Sequence, residues 1–133
     1  MTYRSDCPIA NALDLLGDKW TLLIVRDMLF RQKRYYGEFL QSREGISTNI
    51  LADRLARLEH GGILTKQQNK ENKTRYIYTL TEKGLDLLPM VAEISLWSLH
   101  YNPHTTLEPD IKKMLQTDKL AFIAFVRQMH QPS

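Results

Sequence analysis

Positions 36–81 read YGEFLQSREGISTNILADRLARLEHGGILTKQQNKENKTRYIYTLT. The opening residues, 36–41, carry Phe39 and Leu40 as apolar positions and suit a short helix. Gly45 supplies permissive backbone to the turn that follows over 42–46, and Ser47 offers a hydroxyl to cap a second helix running to about His60. On that helix Ile50, Leu51, Leu55 and Leu58 fall on one side at helical spacing, while Asn49, Ala52, Asp53, Ala56 and His60 face the other way. Gly61 and Gly62 end it. Ile63, Leu64 and Thr65 begin a strand, the polar run 67–73 signals a turn, and Arg75, Tyr76, Ile77, Tyr78, Thr79 and Leu80 form the returning strand. A helix, a turn, a capped amphipathic helix and a hairpin in that order predict a winged helix-turn-helix.

Upstream, Pro8 suits a first helical position just after Cys7, and Ile9, Ala12, Leu13 and Leu16 recur at helical spacing until Gly17. Asp18 can cap the next helix, whose apolar residues Trp20, Leu22, Leu23, Ile24, Met28 and Leu29 cover a broad face; it ends near Arg31, Lys33 and Arg34. Downstream, Thr81 caps a helix carrying Leu85, Leu88, Val91, Ile94, Leu96 and Trp97, with Pro89 a local irregularity. Residues 102–109 have linker composition. From Asp110 the apolar positions Ile111, Met114, Leu115, Leu120, Phe122, Ile123, Phe125, Val126 and Met129 predict one broken helix or two consecutive ones. The expected fold class is mainly α (α+β): a winged helix-turn-helix with a two-stranded wing and additional N- and C-terminal dimerisation helices. The expected division is 1–98 as the DNA-binding domain and 99–133 as a C-terminal helical extension.

With 133 residues, 43% hydrophobic and 25% charged, the chain has the size and composition of one ordinary globular domain. Its formal charge of +3 is modest, but the excess is local. Lys66, Lys70, Lys73 and Arg75 lie in the hairpin against Glu71 alone, whereas the chain beyond Gly84 balances its lysines with acids. The polar N-terminus lacks the apolar region of a signal peptide and no apolar run reaches membrane length, so a cytoplasmic, nucleoid-associated location is expected. A single cysteine, Cys7, excludes an intrachain disulfide and a cysteine-based zinc cluster.

The helix from Ser47 meets the needs of a DNA-reading element. Ser47, Thr48, Asn49 and Ala52 are small enough to approach base edges, and an asparagine amide pairs with adenine. The competing reading is an ordinary solvated face, which the flanking helix and hairpin disfavour. Arg54 and Arg57 can contact phosphate, although Arg54 is equally suited to a structural ion pair. Asp53 would accept from a cytosine amine or orient a neighbouring arginine. Lys70, Lys73 and Arg75 can follow the backbone or enter the minor groove, and Arg31, Lys33 and Arg34 form a weaker phosphate candidate. Cys7, at the positive end of a helix, has a setting that favours thiolate, against the plainer reading of an inert small residue. Any disulfide it forms must use another chain or a small thiol.

Catalytic patterns are lacking. His60, His100, His104 and His130 are scattered, and Pro103 interrupts the one helically spaced pair, so neither metal, cofactor nor enzymatic activity is expected. Two other classes compete with the DNA-binding reading. One is a winged helix used only for protein contacts; the other is a thiol enzyme using Cys7, which has no resolving cysteine or evident base. An aromatic-lined effector pocket between Trp20 and Trp97 is the alternative to placing both in the core, the more usual fate of such residues.

The segments Cys7-Pro8-Ile9-Ala10, Gly17-Asp18-Lys19-Trp20, Leu29-Phe30, Gly45-Ile46-Ser47, Arg54-Leu55, Leu58-Glu59, Gly62-Ile63 and Tyr78-Thr79-Leu80-Thr81-Glu82-Lys83-Gly84 closely resemble the HxlR-type winged-helix transcriptional regulators. The resemblance covers about the first three-quarters of the chain. It implies a homodimer, a pseudo-palindromic double-stranded DNA operator, the helix from Ser47 in the major groove and the hairpin as wing. It also implies a candidate sensor of oxidants or electrophiles at Cys7. Repression is the expected mode, because a dimer on an operator most simply occludes polymerase. Two departures stand out. Thr48-Asn49 replace a Pro-Lys common in such regulators, removing a cation that would face DNA. The extension beyond Trp97 is also long, and it is expected to pack across the dimer, with Leu115, Phe122, Phe125 and Val126 meeting Ile9 and Leu13 of the first helix and Leu88 of the helix after Thr81.

Overall fold

A computed structural model describes residues 3–130; the first two residues of the polar N-terminus and the last three of the extension lie outside the described residues. Within the described residues the element order is α1 (Pro8–Leu16), α2 (Thr21–Arg31), α3 (Tyr36–Phe39), α4 (Thr48–His60), β1 (Leu64–Gln68), β2 (Tyr76–Leu80), α5 (Glu82–Leu85), α6 (Leu88–Tyr101), α7 (Pro109–Thr117) and α8 (Lys119–Met129). The elements fall into two compact units, Met1–Gly84 and Leu85–Ser133. The division comes earlier than residue 98, so the helix after the wing groups with the C-terminal helices.

In the first unit, a turn between α2 and α4 is held by charge as well as by apolar packing. Ile24, Val25, Met28 and Leu29 of α2, Phe39 of α3, and Leu51, Leu55 and Leu58 of α4 are buried. Among them sits Asp27, only 1% exposed. Its carboxylate takes Arg26 Nη2 at 2.8 Å, Arg31 Nη1 at 3.2 Å and Lys33 Nζ at 3.3 Å, and accepts the Ser42 hydroxyl. Arg26 also grips Glu44 with both terminal nitrogens, at 2.8 and 2.9 Å. A buried carboxylate is tolerable only when it is so compensated, and here the compensation fastens the end of α2 to the turn before α4. Arg31 and Lys33, which the sequence offers with Arg34 as a weaker phosphate candidate, thus carry structural ion pairs to Asp27.

Asp18 caps α2, accepting from Trp20 N at 2.7 Å and Thr21 N at 3.1 Å. Ser47 caps α4, its hydroxyl accepting from Ile50 N at 3.3 Å. The C-terminus of α4 closes with Ile63 N donating to Leu58 O at 2.9 Å across Gly62, whose φ of +78° suits glycine. That closure turns the chain directly into β1. β1 and β2 pair antiparallel, with Leu64 opposite Leu80 and Lys66 opposite Tyr78. On its other side β2 donates from Tyr78 N to Arg34 O at 2.8 Å, which anchors the hairpin to the segment before α3.

The predicted helix from Thr81 is broken. Thr81 accepts Gly84 N and covers the short α5, and Pro89 then sits in the first turn of α6, where its missing N–H costs nothing. The extension forms two consecutive helices, with Asp118 ending α7 and capping α8 through Ala121 N at 3.0 Å. In the second unit Leu88, Val91, Ala92, Leu115, Phe122 and Val126 are buried, and Arg127 meets Asp86 at 3.1 Å. Among the described residues no helix is long and apolar enough to cross a membrane.

Candidate nucleic-acid interface

The first turn of α4 leaves its predicted reading residues open. Ser47, Thr48, Asn49, Ala52 and Asp53 are all exposed, because the buried stripe of Leu51, Leu55 and Leu58 turns the opposite side of the helix outward. Tyr36 Oη donates to Thr48 O at 2.9 Å, tying α3 to this turn and fixing the angle at which it emerges. At the hairpin tip Asn69 accepts from Glu71 N and Asn72 N, and Asn72 accepts from Thr74 N. These side-chain turns hold the loop while Lys70, Lys73 and Arg75 remain exposed.

The arginines of α4 are not equivalent to those lysines. Arg54 Nε lies 3.2 Å from Asp18 Oδ1 as an ion pair, and its Nη1 meets Asp53. With a side chain only 20% exposed, Arg54 joins α4 to the cap of α2. Arg57 donates to Asp14 O at 3.3 Å, and its side chain is 43% exposed. Of the two readings open for Arg54, the ion pair is the one found. Burial pushes the Asp18 carboxyl up, but bonds from the Thr21 hydroxyl, Trp20 N, Arg54 and Thr21 N outweigh it and hold it down at about 2.

Cys7 is exposed at the N-cap of α1, where its side chain makes no capping bond. Of the residues expected at a dimer interface, Ile9 (70%), Leu13 (52%) and Phe125 (50%) are exposed. Leu88, Leu115, Phe122 and Val126 are buried at 3% or less within a single chain. They fill that chain's own interior and have no surface to offer a partner. Trp97, expected in the core, is 67% exposed on α6.

Sequence reasoning missed the aromatic side of this face. Arg75 lies over the Tyr35 ring at 3.8 Å and Lys66 over Tyr76 at 4.3 Å, arrangements that fix each cation on an aromatic plane. The available signal was the alternation of Lys66 with Gln68 on β1 and Tyr76 with Tyr78 on β2, which puts all of these on one face of the hairpin.

A profile of the HxlR-like helix-turn-helix family matches residues 15–106. The chain belongs to the HxlR-like helix-turn-helix family. It is thus a transcriptional regulator of the helix-turn-helix type. An uncharacterized HTH-type transcriptional regulator from Synechocystis is 38% identical over 85 residues, which are 64% of this chain and 62% of that protein. The HTH-type transcriptional regulator YodB of Bacillus subtilis is 37% identical over 93 residues, 69% of this chain and 82% of YodB. The reduced form of YodB superposes with a TM-score of 0.59 at 31% identity, covering 76% of this chain and all of YodB (100%). YodB has also been solved quinone-bound and diamide-treated. The crystal structure of PA1607, a candidate transcription factor, gives a TM-score of 0.70 at 36% identity over 79% of this chain and 73% of PA1607.

Proposed function

We propose that this HxlR regulator is a homodimeric repressor that binds a pseudo-palindromic operator, acting on the nucleoid in the cytoplasm and catalysing no reaction. The observation that carries the reading is the pairing, within one unit, of an exposed small-residue first turn of α4 with an exposed basic hairpin tip. The first turn of α4 enters the major groove, where Asn49 is the side chain best suited to a base edge. Lys70, Lys73 and Arg75 take phosphates or the adjacent minor groove. Two half-sites are read about 34–36 Å apart, or a multiple of that.

We further infer that Cys7 tunes this binding. It is the chain's one thiol, it is exposed, and the relative YodB is known in reduced, quinone-bound and diamide-treated forms. With diamide, two thiols give up two protons and two electrons to the N=N bond. The protein thiol thereby joins a second copy's thiol, or a small thiol, as a disulfide, and the reagent leaves as a hydrazine. The test is a salt titration of binding to the DNA upstream of the protein's own coding region, using reduced protein, diamide-treated protein and Cys7→Ser. Tight, salt-sensitive binding lost only in the oxidised protein that retains Cys7 is expected. Equal binding by all three retires the thiol switch, and absence of salt-dependent binding to any DNA rejects the regulator-on-DNA reading.

A further inference from the structure

Among the exposed residues Thr48, Asn49, Ala52, Asp53 and Ala56 of α4, Asp53 alone carries a charge. Its side chain is 56% exposed. A carboxylate on a surface that approaches DNA is repelled by the phosphates, so a reading helix holds one there only at a cost.

Arg54 offsets that cost and sets the direction of the carboxylate. The guanidinium is itself pinned, with Nε 3.2 Å from Asp18 Oδ1 and a side chain only 20% exposed. Asp18 in turn is held by Trp20 N at 2.7 Å, Thr21 N at 3.1 Å and the Thr21 hydroxyl at 2.5 Å. From this fixed position Arg54 Nη1 donates to Asp53 Oδ2, which leaves Oδ1 to accept from elsewhere. Arg57 Nη1 lies 3.9 Å from Asp18 Oδ2. Two guanidiniums thus match the two carboxylates, and the cluster adds no net negative charge to the face.

We propose that Asp53 is a specificity-determining residue that selects a cytosine in each half-site, with Arg54 as its positioning residue. The edges of the bases in the major groove make the choice. Guanine shows two acceptors there and thymine an acceptor and a methyl group, none of which suits a carboxylate; the amine of adenine stands beside the N7 acceptor, whereas cytosine shows its N4 amine alone. A group that only accepts therefore takes cytosine. Asn49, one helical turn away, both accepts and donates and takes adenine. Residues 49 and 53 are about 6 Å apart along the helix, the rise of about two base pairs, which puts the cytosine within about two pairs of that adenine. The assignment rests on the DNA-binding reading above and adds to it the base that is read.

The test is selection by the reduced full chain from a pool of randomised DNA duplexes, followed by titration of the selected site. One cytosine position per half-site is expected, and replacing that pair should weaken wild-type binding about tenfold, the scale of one charge-assisted hydrogen bond. Asp53→Asn, an exposed change, should keep the melting temperature and shift the selected base toward adenine. Asp53→Ala should show no preference at that position while binding unselected DNA at least as tightly, because it removes a negative charge. A merely structural residue would lose affinity for all sequences alike. Arg54→Lys keeps a cation beside Asp18 but not the second nitrogen that holds Asp53, and should cut the cytosine preference about threefold. The same selected bases in Asp53→Ala as in the wild type overturn the proposal and leave the DNA-binding reading standing, and an undiminished cytosine preference in Arg54→Lys removes Arg54 from it. No enrichment of any sequence by the wild type overturns both.

Discussion

Asp18 stands where three parts of the first unit meet: it caps α2, receives the Thr21 hydroxyl at 2.5 Å and pairs with Arg54 of α4. Each of these bonds favours the charged carboxylate, which is why its folded value falls from 3.8 to about 2 although burial works against it. The sign of the pH effect follows. A group held lower in the folded state than in the unfolded one contributes stability above the unfolded value and loses it as pH drops through the folded value. Discounted for screening by the water that reaches it, Asp18 is therefore worth about 1–2 kcal/mol at neutral pH. Asp18→Asn keeps a capping oxygen but removes the charge. Urea melts of the two proteins should differ by about 1–2 kcal/mol at pH 7, and the gap should close between pH 5 and pH 2. A gap that stays constant to pH 2 would show that the charge is irrelevant and only the shape of the cap matters. Glu44, held to about 2 chiefly by Arg26, titrates in the same window, but it does so equally in both proteins and drops out of the comparison.

At the scale of elements, the junction of wing and α5 has the least tolerance. A Cβ on Gly84 would stand 2.2 Å from Ile63 O, and that same carbonyl accepts Thr81 N at 3.0 Å. The Thr81 hydroxyl also reaches Gly62 O at 2.5 Å, so the start of β1 and the start of α5 are fastened together. Gly84→Ala must push these backbones apart. It should cost about 1–3 kcal/mol in a thermal or urea melt and loosen the hairpin, read as faster amide exchange at Tyr78 and Leu80; an unchanged melt would mean that the junction is slack. The elements themselves were readable in the sequence wherever local chemistry specifies them. Ser47 with the Leu51, Leu55 and Leu58 spacing defines α4, and Gly61-Gly62 define its end. Pro89 marked a break whose nature, a fresh first turn, depended on where α5 stopped. Less was legible wherever residues distant in sequence combine. Asp27 meets Ser42 across 15 positions and Arg57 meets Asp14 across 43, so nothing local announces either pair. The same holds for the open concavity lined by Tyr36 of α3, Ala52 and Ala56 of α4 and Tyr76 and Tyr78 of the hairpin. Leu115 and Phe122 show a different limit: an apolar position looks the same whether it faces its own chain's interior or a partner.

For the whole molecule, that last ambiguity changes where the proposed dimer is to be sought. With Leu88, Leu115, Phe122 and Val126 consumed by the second unit's own interior, the apolar side chains left outside on α6 are Met90 (36%), Ile94 (46%), Trp97 (67%) and Tyr101 (69%). Their 4-3-4 spacing is that of a heptad seam, the pattern by which one helix packs against another. A stripe of this kind facing water is unusual for a monomer, and Trp97, its ring tilted against Tyr101 with centroids 5.6 Å apart, has the size and rigidity of an interface anchor. Trp97→Glu should turn the dimer into a monomer by light scattering while leaving the melting curve of the folded unit largely intact. Phe122→Ala should instead lower stability by about 3–5 kcal/mol through the cavity it opens. The change at Trp97 should also reach the DNA without touching it. A monomer neutralises only one half-site's phosphates, so the slope of log affinity against log salt should fall to about half, whereas replacing Lys70 alone with Gln reduces it by about one unit per chain. A Trp97→Glu protein that stays dimeric with its slope unchanged would move the interface to Ile9 and Leu13 of α1, and the matching Ile9→Glu variant would then be the one to fall apart.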